Sequence, residues 1–77
     1  MHESHETADA IDRVKSILIC CDDLDGHPEI AADLAHVRST AKVMLDDYEN
    51  WWVIAGVEDF MLIERMNDML LKLDVIS

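Results

Sequence analysis

Ile30, Leu34, Val37, Ala41, Met44, Tyr48 and Trp51 recur at spacings of four, three, four, three, four and three. An apolar period of seven held over three heptads suits one face of an α-helix and no β-strand, whose side chains alternate with period two. Pro28 marks the start, because a proline in the first helical turn lacks only an N–H that had no partner. Extended to Ala55, the pattern predicts a helix over 28–55, roughly 42 Å long at the usual rise. Residues 51–55, Trp-Trp-Val-Ile-Ala, also suit a short strand, since aromatic and β-branched side chains favour extended backbone. No second strand-like segment exists to pair with them, so the helix is the reading taken.

Two further helices follow from the same kind of pattern. Ala10, Val14, Ile17, Cys21 and Leu24 form one stripe, widened by Ile11 and Leu18, and predict a helix over 7–24. Asp9 and Arg13 are placed to pair across one turn of it. Asp22-Asp23-Leu24-Asp25-Gly26 should close it, with the glycine left-handed. After Gly56, a helix over 57–73 is expected, with Glu58 and Asp59 suiting the dipole of its first turn. Leu62, Met66, Met69 and Leu73 then share a face that Ile63 and Leu70 broaden, while Phe60, Met61, Leu71 and Val75 fall outside any arc that one neighbour covers.

Only two glycines and one proline interrupt 77 residues, of which 51% are hydrophobic, so the expected class is all-α. A chain this short holds one core. Residues 1–6 are read as a flexible tail and 7–77 as a single helical domain, either a small three-helix bundle or a helical hairpin plus a third helix. The first helix spans only roughly 27 Å, so the second overhangs it. That overhang and the surplus apolar positions predict completion of the fold by antiparallel homodimerisation.

Seventeen acidic residues against six basic ones leave a net charge of −11. Direct binding to a nucleic-acid backbone is thereby disfavoured, and a partner with a basic surface is favoured. The carboxylates gather at Asp22, Asp23 and Asp25, at Asp46, Asp47 and Glu49, and at Glu58 and Asp59. Such a surface keeps an apolar small protein in solution, or imitates the phosphates of nucleic acid to occupy a basic groove, as inhibitors of the phage or plasmid type would.

Chemistry is sparse. The longest apolar run, Trp51 to Val57, is too short to cross a bilayer, and the N-terminus lacks the basic and apolar regions of a secretory signal. Adjacent Cys20 and Cys21 point about 100° apart on a helix, poor geometry for a mutual disulfide, so reduced thiols and a cytoplasmic location are expected. Their acidic surroundings disfavour a nucleophilic thiolate beside His27 or His36. His2, Glu3, His5 and Glu6 have ligand chemistry but sit in the presumed tail, and a calcium loop around Asp23 to Gly26 would have Cys21 and Ala32 at its end positions, where carboxylates belong. No cofactor or metal is expected. Arg13, Arg38 and Arg65, one per helix, are the only set suited to an enzyme acting on an anionic substrate; ion pairs with Asp9 and Asp68 account for the first and last more economically.

The expected function is therefore a non-enzymatic binding or regulatory module acting through an apolar-aromatic helix face. Tyr48, Trp51, Trp52, Ile54, Phe60 and Leu71 are the residues expected to carry the dimer or partner contact. An acidic decoy for a nucleic-acid-binding protein is the alternative, and a small helical enzyme on an anionic substrate the second.

Overall fold

The computed structural model describes residues 5–76. Helix α1 runs His5–Asp23, a single 3₁₀ turn covers Pro28–Ile30, α2 runs Ala31–Asn50 and α3 runs Val57–Ile76. Among the described residues there is no strand, and the fold is all-helical. The tail expected over 1–6 lies outside the described residues as far as Ser4, while His5 and Glu6 belong to α1.

The α1 stripe is buried as its spacing requires: Ala10, Val14, Ile17 and Cys21 are almost wholly covered. Its end is closed by the Leu24 amide donating to the Cys20 carbonyl and the Asp25 amide to that of Asp22. Gly26 follows at φ 94°, the left-handed turn expected of it. Pro28 opens the 3₁₀ turn, and α-helical geometry begins three residues later at Ala31.

Ile30, Leu34, Val37, Ala41, Met44 and Tyr48 are all buried. The seventh member of the heptad is not. Helix α2 stops at Asn50, five residues short of the expected 55, and Trp51 is 70% exposed. The stop is local: Asp46, Asp47 and Glu49 place negative charge at the negative end of the helix dipole, and β-branched Val53 and Ile54 follow. The Asp47 carbonyl then accepts both the Trp51 and the Val53 amides, turning the chain outward. With 19 residues in α1 and 20 in α2, neither helix overhangs the other, so that ground for a dimer is gone.

Gly56 starts α3. Its amide donates to Asp59 Oδ2 at 2.9 Å, the return half of a capping box, and its carbonyl accepts the Phe60 amide. The helix runs three residues past the expected 73. Its core face is also turned: Ile63, Met66, Leu70 and Leu73 are buried, Leu62 is half-buried and Met69 is exposed. A helix apolar over most of its girth can rest on several faces, and packing on α1 selects this one.

The helices run up, down and up. Arg38 of α2 meets Asp22 of α1 at 3.3 Å and Lys15 of α1 meets Glu49 of α2 at 3.7 Å, which sets α1 and α2 antiparallel. Arg13 lies over the Phe60 ring, and Cys20 and Leu24 share a cleft with Leu70 and Leu71, so α1 and α3 are parallel. Helix α1 is the common support; α2 and α3 touch sparsely across an open groove.

The connection between α2 and α3 is tied to the start of α1 by a buried bond, from the Ala55 amide to Thr7 Oγ1 at 3.1 Å. Thr7→Val keeps the shape of the side chain but strands that buried amide, so a loss of about 1–3 kcal/mol is expected. Chemical denaturation measures it, and faster hydrogen exchange at Ala55 localises it.

Candidate protein-interaction surface

The backbone of residues 51–56 is held at both ends, yet its side chains project. Trp51, Trp52, Ile54 and Val57 are each at least 70% exposed, and Val53 is 41% exposed. Isolated exposed hydrophobes are ordinary, but a contiguous run of aromatic and branched side chains is the mark of an interaction site. The Trp51 indole is steadied by donation of Nε1 to Asp46 Oδ2 at 3.1 Å, and Asn50 Nδ2 donates to the other oxygen of the same carboxylate at 2.6 Å. An aromatic contact set in place before binding loses less entropy when a partner arrives.

Trp52 stands apart. Its φ is +56°, the only positive value at a non-glycine position among the described residues, and its side chain is 76% exposed. The left-handed region costs an L-residue about 1–2 kcal/mol. Burial does not repay it here. A bulky, exposed side chain on a strained backbone makes Trp52 the candidate functional residue of the connection.

The six residues expected to form an interface fall in three places. Trp51, Trp52 and Ile54 share the connection. Leu71 is exposed on α3, at the edge of a half-open cleft of roughly 400 Å³ with Cys20, Leu24 and Leu70. Tyr48 and Phe60 belong inside: Tyr48 is 3% exposed, and Phe60 packs half-buried against the core beneath the Arg13 guanidinium, 5.7 Å from its centroid. Tyr48 sits on a heptad position and its aromatic character suggested a contact; the heptad position prevails. Val57 is exposed beside the connection with no sequence signal of its own, and Met61 and Val75 are exposed outside the arc that one neighbour covers. The spacing that links them runs 57, 61, 64, 68, 71, 75, hidden because Glu64 and Asp68 occupy its middle.

The carboxylates are differently employed. Asp22 and Glu49 make interhelical ion pairs, Asp46 holds Asn50 and Trp51, and Asp59 caps α3. Asp47 is half-buried, while Asp23, Asp25 and Glu58 are exposed and form no ion pair among the described residues. The three arginines do not converge. Arg13 pairs with Asp9 at 3.0 Å, Arg38 with Asp22, about 20 Å beyond Asp9 along α1, and Arg65 lines the groove between α2 and α3 without the expected Asp68 pair.

Cys20 is exposed and Cys21 buried, both as free thiols. Burial pushes the Cys21 thiol up; Arg38 opposes this, and Cys20 and Asp22 add to it. Of the tail's candidate ligands, His2 and Glu3 lie outside the described residues, and no group of three His, Cys, Asp or Glu is placed to hold a metal among those described. No described helix is long and apolar enough to cross a membrane.

The Tyr48 hydroxyl is buried and faces the Asp59 carboxylate without completing a well-formed hydrogen bond. Burial pushes its phenol up to about 12; Asp59 adds to this by its charge and as the acceptor that the hydroxyl faces, and the charge of Asp47 adds further. A phenol whose folded value exceeds the unfolded one, near 10, supports the fold while both states are protonated. Between pH 10 and 12 the unfolded chain ionises first, so stability falls as pH rises, by about 2–3 kcal/mol across the window. Tyr48→Phe removes the hydroxyl and with it this alkaline loss. Stability at pH 7 should change by no more than about 1 kcal/mol, with urea titrations at pH 7 and pH 11 as the measurement.

No protein-family model, curated protein or solved structure matches this chain.

Proposed function

We propose that this protein is a non-enzymatic binding module that docks another protein through the exposed connection between α2 and α3. Trp52 carries the reading: it is strained in the backbone, uncovered in the side chain, and flanked by Trp51, Ile54 and Val57. The net charge of −11 favours a partner with a basic surface, and two free thiols fit a reducing, cytoplasmic setting.

The test compares the native chain with Trp52→Gly in binding a partner captured by the native chain and then purified. At least tenfold weaker binding by the variant is expected, which corresponds to about 1.4 kcal/mol. Equal affinity defeats the proposal. Antiparallel homodimerisation is the competing occupancy of the same apolar surface. Light scattering at micromolar concentration separates the two, since an 8.8 kDa species leaves the patch open for a different protein. Binding competed by duplex DNA and abolished by salt would instead support the acidic-decoy reading.

A further inference from the structure

We infer that the outer face of α3 docks one amphipathic helix of another protein, apolar at both ends and cationic in the middle. Val57, Met61, Glu64, Asp68, Leu71 and Val75 follow one another at spacings of four, three, four, three and four, a heptad stripe on the side of α3 opposite its buried face. All six are exposed, Val57 by 77% and Val75 by 86%. The stripe is about 27 Å long and begins at Val57, where it meets the Trp51–Ile54 patch.

Charge decides what covers it. Glu64 and Asp68 form no ion pair among the described residues. Arg65 and Lys72 lie roughly 60–80° to one side of the stripe, and Arg65 turns into the groove with α2. In a second copy laid antiparallel, Val57 would face Val75, Met61 would face Leu71, and Glu64 would face Asp68, bringing four carboxylates together. A parallel copy in register fares no better, and each copy brings a net charge of −11. Like charges directly opposed at an interface cost several kcal/mol. A helix with Lys or Arg at its two central contact positions turns that cost into attraction, and its apolar ends cover Val57, Met61, Leu71 and Val75.

The inference deepens the docking reading by naming the shape and charge of the partner. Its test uses two synthetic helical peptides of about three heptads, with leucine at the outer contact positions and either lysine or glutamate at the two central ones. Fluorescence anisotropy with the full chain should show the lysine peptide binding at least tenfold more tightly. The double variant Glu64→Lys, Asp68→Lys should reverse the preference. Asp25→Lys with Asp33→Lys changes net charge equally on the turn after α1 and the first turn of α2, outside the stripe, and should keep it.

Equal binding of the two peptides overturns the inference, as does an unchanged preference in the Glu64/Asp68 variant or its equal loss in the Asp25/Asp33 control. A native dimer that Leu71→Glu dissolves also overturns it, by putting a second copy on this face. These outcomes leave the Trp52 surface to be judged by Trp52→Gly alone.

Discussion

Ile63→Ala is expected to leave the chain largely unfolded at 37 °C. Ile63 is fully buried and belongs to the row Ile63, Met66, Leu70 and Leu73 by which α3 rests on α1. Truncating a buried isoleucine removes its transfer free energy and leaves a cavity that the surroundings only partly fill, at a cost of about 2–5 kcal/mol. A single core of this size seldom supplies more than about 3–5 kcal/mol in all. Because α2 and α3 touch sparsely, little else holds α3 in place. Leu71→Ala is the control: the same helix, an exposed side chain, and a change within about 0.5 kcal/mol expected in the free chain. Urea titration followed by far-ultraviolet circular dichroism reads both. Similar midpoints for the two variants would mean that α3 does not pack as described.

The contrast between Ile63 and Leu71 also shows where the sequence is informative. Helix α1 and the buried face of α2 are legible because each carries one apolar stripe with polar flanks, and a single stripe admits one packing. Helix α3 has apolar residues on opposite sides, so periodicity establishes the helix without selecting the side that becomes core. That choice is made by α1 and shifts the buried row from Leu62 and Met69 toward Ile63 and Leu70. The end of α2 is obscure for another reason. No glycine or proline marks it, and Trp51 completes the heptad in spacing while the acidic last turn and the β-branched residues beyond it act against continuation.

The exposed aromatic connection is legible in the sequence in part and for an incomplete reason. Aromatic composition singles out Tyr48, Trp51, Trp52 and Phe60 together, because composition does not distinguish a ring that fills a core from one that projects. Their separation follows from two backbone events absent from any apolar pattern: the double hydrogen bond to the Asp47 carbonyl and the positive φ of Trp52. Together they send the chain outward for six residues and back into the buried Ala55–Thr7 bond. The tryptophans are thus exposed by a turn of the main chain, rather than by the helix face on which the sequence places them.

Trp52→Gly is expected to change stability and binding in opposite directions. Relief of the left-handed conformation returns about 1–2 kcal/mol, and the greater freedom of glycine in the unfolded chain takes back about 0.5–1 kcal/mol. The lost side chain is mostly exposed, so its removal sacrifices little packing. The net expectation is a free chain more stable by about 0.5–1 kcal/mol, with a melting temperature higher by roughly 2–8 °C for a domain of this size. Partner affinity should meanwhile fall at least tenfold, because truncating an anchoring aromatic at an interface commonly costs more than about 1 kcal/mol. Opposed shifts of this kind identify a residue kept for contact at the expense of the fold. Scanning calorimetry of the free chain and titration calorimetry with the purified partner give the two numbers independently. A lower melting temperature would show that Trp52 supports the fold. An unchanged affinity would show that the partner docks elsewhere.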